Sequence, residues 1–264
     1  MNTSLGFRLN TTTGLDGVGF INPFPLPDFD NNLSRLHLLR RSYIFANWDR
    51  VSQVQGSVAD AGAVPEATNI RSNNASQNIN IENPNVDYAG GFTFAVALTT
   101  PSLQGASAAD RVEVIQTEGM VAASAGFRLQ LIESGSSDLG INARVFTDAG
   151  RANVTRTSLS LPGGGAAFWV FVSFDGSTLR LAAPALWGLV DSASIDTGIT
   201  GNTAPANTRL IMGRKQDGNN NSALLTGQTY WGLAQYGRGL ADSEIVAEHA
   251  KLVAWAAALG ATTV

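Results

Sequence analysis

Residues 168–181 read FWVFVSFDGSTLRL. The first seven, FWVFVSF, are apolar at every position but Ser173, with no alternation between a wet and a dry face. A strand of that kind is covered on both sides, which places it inside a layered structure. Asp175-Gly176-Ser177 then interrupts the run. Glycine reaches the positive φ that a tight reversal needs, so residues 178–181 should return antiparallel beside the first run. The stretch predicts a buried central hairpin.

Working outward, the same kind of short apolar run recurs. Residues 90–98, GGFTFAVAL, place Phe92, Phe94, Val96 and Leu98 on one face and small residues on the other, and Pro101 ends the run. Residues 43–48, 77–81, 111–116, 127–132, 141–145 and 154–161 continue the series, and residues 186–190 (with Trp187), 209–213 and 230–236 complete it. Residues 60–71, with Gly62 and Pro65, read as a loop. Turn-forming residues separate the runs and no helical periodicity intervenes. The pattern predicts an all-β fold, an antiparallel β-sandwich or jelly roll. The last element differs. In residues 242–259, Ile245, His249, Leu252, Val253, Ala256 and Leu259 fall on one helical face. Asp242 or Ser243 can cap this helix, Glu244 suits its positive end, and Gly260 stops it. His249 reads as a core histidine.

Residues 1–40 have another character. Asn22-Pro23-Phe24-Pro25-Leu26-Pro27 carries proline at alternate positions, which excludes a helix or a central strand. Phe20, Phe24, Leu26 and Phe29 make the segment too apolar for a solvated linker. It is expected either to pack on its own domain or to act as an arm docking on a neighbouring subunit. The division expected is therefore an extended arm over 1–40 and a sandwich with its helix over 41–264. Residues 33–39, LSRLHLL, read as a short helical turn, with His37 a structural residue.

Composition narrows the function classes. Charged residues are 14% of the 264, the net charge is −4, and there is no cysteine. Thiol chemistry, disulfides and cysteine zinc sites are excluded. The longest basic run is Arg40-Arg41, which argues against nucleic acid and anionic membranes as partners. Apolar runs fall well short of the ~20 residues of a membrane helix. The first residues, MNTSLGFR, lack the pattern of a secretory signal, so the expected place of synthesis is a cytoplasm.

Several of these stretches, in order, resemble the concanavalin A-like lectin/glucanase superfamily, above all the laminin G-like modules of bacteria and phages. The strand Gly91-Phe92-Thr93-Phe94-Ala95-Val96, the aromatic strand followed by Asp-Gly at residues 169–181, and Leu210-Ile211-Met212-Gly213 carry the resemblance. The strand at 230–236 followed by Leu240-Ala241-Asp242-Ser243-Glu244-Ile245 completes it. It covers roughly residues 75–259. Ala241 departs from the pattern, standing where the superfamily has a Ser or Thr cap, and residues 179–183 match only loosely.

The resemblance implies a lectin-like module. Its catalytic members use a pair of carboxylates on one strand face. The nearest candidates here are Glu113 with Glu118 and Glu133 with Asp138; the odd spacing of the first pair puts its members on opposite faces. Lectins of the superfamily grip sugars with calcium or with Asn and Asp. The oxygen-rich loop 215–222, with Asp217, Asn219, Asn220 and Asn221, is the candidate for a ligand or calcium site, although it lacks the spaced acids of a calcium hand. Trp187, Tyr230 and Trp231 are candidates for stacking on sugar rings, with core burial as their other reading. The function expected is a non-catalytic structural or adhesion protein of a bacteriophage virion, self-associating, with a trimer favoured. Its partners would be other virion proteins and a surface glycan. The alternatives are an exported carbohydrate-binding module and a glycoside hydrolase.

Overall fold

The computed structural model describes residues 28–39, 58–61, 64–65, 70–72, 78–81, 84, 86–99, 111–117, 126–134, 138–160, 166–198, 209–215, 228–261 and 263–264. Among them, strands form two antiparallel sheets packed face to face. The first sheet runs β13 (Asp191–Ser194), β12 (Thr178–Ala182), β11 (Phe168–Phe174), β6 (Phe92–Thr99), β15 (Gln228–Tyr236), β4 (Ile70–Ser72) and β3 (Val64–Pro65); β1 (Leu33–Leu38) also pairs with β15. The second runs β10 (Gly150–Leu159), β9 (Asp138–Thr147), β8 (Gly126–Ser134), β7 (Arg111–Thr117), β14 (Leu210–Lys215), β5 (Asn78–Ile81) and β2 (Val58–Ala61). A single described helix, α1 (Asp242–Ala258), lies on the first sheet. The all-β sandwich with a C-terminal helix is the architecture that the sequence predicts.

The hairpin is as expected. β11 pairs with β12 on one side and β6 on the other, and all seven of its residues are buried. Gly176 takes φ 91°. The Asp175 carboxylate accepts the Ser177 and Thr178 amides at 3.0 and 2.8 Å, which fixes the turn. Period-2 alternation then divides the strand. Phe168, Val170, Val172 and Phe174 enter the core between the sheets, where they join Phe92, Phe94, Val96 and Leu98 of β6 and Phe127, Leu129 and Leu131 of β8. Trp169 and Phe171 enter a second apolar layer on the opposite face, with Ile245, Leu252, Trp255 and Ala256 of α1. The small residues of β6, Ala95 and Ala97, belong to this outer layer too, and they give the layer room. Gly232 does the same for one ring, because a Cβ there would lie 2.6 Å from the Trp169 indole.

Four local expectations are corrected. Residues 33–39 are not a helical turn; β1 is a strand antiparallel to β15. A register shift between Leu33 and Arg35 breaks its alternation. That irregularity sets Leu33 and Leu36 three apart on the helix-facing side, the spacing that imitates a helix. Residues 60–71 are not only loop, since they contain the end of β2, all of β3 and the start of β4, each too short to show periodicity. Residues 186–190 are not a strand. Pro184 opens a turn in which Leu186 and Trp187 donate to the Ala183 carbonyl at 2.8 and 3.1 Å, and β13 starts only at Asp191. Finally, α1 is not capped by Asp242 or Ser243: Ala241 is its N-cap, and the Glu244 carboxylate reaches back to the Ala241 amide at 2.7 Å. The strand expected at 43–48 lies outside the described residues.

The described end of the N-terminal segment is in contact with the sandwich. Residues 28–39 are built into the sandwich, with Phe29 8% exposed in the outer layer. Arg238 holds this segment down. Its guanidinium bonds Glu244 at 2.7 and 2.9 Å and pairs with the Asp30 carboxylate, so one cation joins the N-terminal segment to the start of α1. Alongside, Glu248, 3% exposed, accepts the Tyr236 hydroxyl at 3.0 Å and the Asp30 amide at 3.2 Å.

Two outcomes follow from this packing. Phe171→Ala empties a site in the outer layer and should cost about 3–5 kcal/mol in equilibrium unfolding. The second concerns acid. The hydrogen bond from Arg238 holds the Asp30 carboxyl down at about 2, against the upward push of burial and with help from Asn32. A folded-state value below the unfolded one means the stabilisation is complete above about pH 4 and is lost as the pH falls towards 2. Asp30→Asn should flatten the stability–pH curve in that window, as read by urea titrations at a series of pH values.

Candidate binding face

The outer surfaces of the two sheets differ in kind. On the first, α1 and the segment from Phe29 to Leu36 form an apolar layer. On the second, alternation turns Phe127, Leu129, Leu131, Ile141, Ala143, Val145, Ala152 and Val154 inward. Arg128, Gln130, Asn142, Arg144, Phe146, Arg151, Asn153 and Thr155 must then face outward. Strand register assembles them into rows. Gln116, Arg128, Arg144 and Asn153 face one another across β7, β8, β9 and β10. Gln130, Asn142 and Thr155 form the next row, and Arg151, Phe146 and Gly126 another.

The groups are tied together. Asn142 Nδ2 lies 2.8 Å from Asn153 Oδ1, 2.7 Å from Thr155 Oγ1 and 3.1 Å from the Val154 carbonyl. Three acceptors around the nitrogen fix which way the amide points. Asn142 Oδ1 is buried and has no hydrogen-bond partner among the described residues. Asn153 Oδ1 also accepts Arg144 Nε at 3.0 Å, which sets the plane of that guanidinium. The Phe146 ring, 3% exposed, carries the Arg144 and Arg151 guanidinium carbons at 5.9 and 6.0 Å from its centroid. Opposite Phe146 stands Gly126, at φ 145°, where a Cβ would come within 2.8 Å of Thr117 Oγ1. Gln130, Asn142 and Arg128 are buried, Arg144 and Arg151 are half-buried, and Asn153 and Thr155 are exposed. The accessible part of the face therefore lies over β9 and β10.

Chemically this is a fan of amide, hydroxyl and guanidinium groups, suited to holding a hydroxyl-rich ligand by directed hydrogen bonds. No described group of three His, Asp or Glu is placed to hold a metal. Of the carboxylate candidates, Glu133 pairs through the backbone with Leu139, and Asp138 with Ser134. Glu118 lies outside the described residues.

Of the binding residues expected from sequence, some are described and others are not. Trp187 is 7% exposed in the core between the sheets, and one ring face carries the Arg156 guanidinium at 5.8 Å. Tyr230 is fully buried and Trp231 half-buried beside the outer layer. Asp217, Asn219, Asn220 and Asn221, with the calcium expectation that rests on them, lie outside the described residues, as do Phe20, Phe24 and Leu26. His249 does lie on the sheet side of α1, edge-on to Phe171 at 6.2 Å, and burial lowers its affinity for a proton. The polar face was missed, yet its signal is present: Arg128 and Gln130, Asn142 and Arg144, and Arg151, Asn153 and Thr155 all sit at alternate positions.

No family model and no curated protein matches the chain. Solved structures do. The botulinum neurotoxin serotype D binding domain superposes with a TM-score of 0.59 at 10% identity, over 84% of this chain and 51% of that one. The binding domain of Paraclostridial Mosquitocidal Protein 1 gives 0.58 at 14% identity, over 83% and 52%. The binding domain of botulinum neurotoxin DC, in complex with SialylT, gives 0.57 at 13% identity, over 84% and 52%. The chain thus spans about half the length of these binding domains, and what it shares with them is the β-sandwich fold.

Asn142→Ala should strand the acceptors that its amide now joins and cost about 1–3 kcal/mol of stability by denaturant titration.

Proposed function

We propose that the chain is a non-catalytic binding module that holds a glycan on the outer face of its second sheet. The observation that carries the reading is the preset hydrogen-bonding face over β9 and β10, on a sandwich whose opposite outer face is occupied by a helix. Similar folds from other proteins lend support: one botulinum neurotoxin serotype D ligand-binding domain is in complex with N-acetylneuraminic acid.

The setting we favour is a bacteriophage virion, where the module serves adhesion or attachment, self-associates and meets other virion proteins. The laminin G-like pattern of strands, the absence of cysteine and the low charge support that setting. So does the Pro-rich apolar stretch at 20–27, which precedes in sequence the residues anchored by Arg238 and to which we assign the docking role. A carbohydrate-binding module exported from a bacterium is the second reading, favoured by the same polar face.

A glycan array probed with the full chain tests the binding role; bound glycans lost on Asn153→Ala are the expected result, and a blank array with and without calcium overturns it. Deleting residues 1–27, which spares the anchored segment, tests the arm. Light scattering should show an oligomer becoming a folded monomer, whereas a monomeric full-length chain refutes self-association.

A further inference from the structure

The first sheet has a seam where three parts of the chain meet. β6 pairs with β11 along its whole length, but β12 pairs with it only from Phe171 to Phe174. The edge ahead of Phe171 is taken by the chain that follows α1. The Val264 amide donates to the Ala167 carbonyl at 2.8 Å, and the Trp169 amide donates to the Val264 carbonyl at 3.1 Å. The Trp169 indole donates to the Thr263 hydroxyl at 3.0 Å. His249 closes the seam from the helix side. Its ring stands edge-on to Phe171 and also bonds the main chain of Val264. Its Nε2 is buried and has no hydrogen-bond partner among the described residues. A proton added there would place a charge in the seam on a donor with nothing to receive it.

The charged groups nearby have partners of their own. On α1, Lys251 bonds Glu248 at 2.7 Å, and Glu248 also takes the Tyr236 hydroxyl and the Asp30 amide. β11 carries no titratable side chain. Arg180 of β12 bonds Asp175 and Asp242, and Arg238, after β15, bonds Glu244 and Asp30. Thr263 and Val264 carry no titratable side chain. Charge on the Val264 main-chain carboxyl would favour the imidazolium and so oppose burial. Burial is the larger influence, and it lowers the ring's affinity for a proton.

We propose that His249 is an acid-sensitive latch: the neutral imidazole holds α1 and residues 263–264 against β11, and a proton taken from solvent onto Nε2 releases them. The closed seam holds the proton less well than the open one, so the open form gains as the pH falls below the ordinary histidine value of 6.5. The latch is at full strength above that pH and weakens from there down to the ring's own lowered value. Opening bares Trp169 and Phe171, two rings of the apolar outer layer, and so gives the protein an apolar surface at mildly acidic pH that is covered at neutral pH. Few groups compete in that window. The chain has two histidines and no cysteine. The other histidine, His37, is buried in β1, which β6 and β15 separate from β11. The carboxyls of Asp30, Asp175 and Glu244 are all held below their usual range. The latch is independent of what the second sheet binds.

Amide hydrogen exchange of the full chain, corrected for intrinsic rates, reads the latch at the Trp169 and Val264 amides. Their opening constant should rise severalfold, up to about tenfold, between about pH 7.5 and about pH 5.5, the limit being set by an open-state ring that titrates near 6.5. The Leu240 amide, held by Ser173 and Thr93 beside the other end of α1, should not follow. His249→Gln keeps a donor but does not titrate, and it should remove the pH dependence. An unchanged opening constant, a rise that survives His249→Gln, or an equal rise at Leu240 overturns the latch. Should His249→Gln fail to fold, NMR titration of the histidine rings in the unaltered chain decides. A His249 midpoint below the ordinary value of 6.5 supports the latch, and one at or above it overturns it.

Discussion

The structure depends on one requirement: β11 must be kept dry on both faces. Its sequence offers no polar side to solvent, so the sandwich supplies one cover and α1 the other. The inner cover is a conventional pairing of two sheets, with Phe94 and Phe127 stacked across the gap at 4.9 Å. The outer cover is less common in a sandwich, where outward positions are ordinarily polar. It explains why the outward positions of β6 are Thr93, Ala95 and Ala97, and why the chain continues into an amphipathic helix as soon as β15 ends.

Ser173, the one polar residue of β11, shows how the outer layer is attached. It is fully buried, so its hydroxyl needs partners. It lies 2.9 Å from the hydroxyl of Thr93, its cross-strand neighbour on β6. Together the two hydroxyls take the Leu240 amide at 2.7 and 3.0 Å and donate to the Leu240 and Arg238 carbonyls at 3.0 and 2.9 Å. The turn that launches α1 is thereby pinned to the two central strands. Next to it, Arg180 bonds Asp175 of the hairpin turn at 2.6 Å and Asp242 of the helix at 3.1 Å. Burial works against the charge on Asp175, but its bonds from Arg180, Ser177 and Thr178 prevail and hold its carboxyl well below the usual range. The apolar cover thus holds its position through a few satisfied polar groups at one end of α1.

How much of this was legible follows from what each signal encodes. Burial on two faces is written into composition, so β11, β6 and α1 could be read directly. β1 could not, because a register shift displaces its apolar residues from period two, and periodicity is the sequence's main evidence for a strand. Trp187 misled for a related reason: large aromatics serve cores and sugar sites alike, and only the fold reveals that Arg156 covers it. The polar face was hidden by dispersion. Each of β8, β9 and β10 shows two or three outward polar residues that read as an ordinary wetted side. Their identity as a connected set exists only after register brings Asn142, Arg144 and Asn153 side by side.

The same asymmetry bears on where a ligand can bind. A sandwich of this kind has two outer faces, and here one is occupied by the helix that β11 requires. A binding surface built on a sheet is left with the second, where β8, β9 and β10 are long and pair directly, without a register shift as far as Arg156 of β10. Long regular strands hold side chains at fixed spacing, so ligand groups can be matched to rows of donors with little loss of conformational freedom on binding. Loops could carry a site as well, but they would order their side chains at the moment of binding. The rows around Phe146 are ordered beforehand by the hydrogen bonds of Asn142 and Asn153. The feature that decides the fold, a strand with no wet side, therefore also determines which sheet is available for recognition.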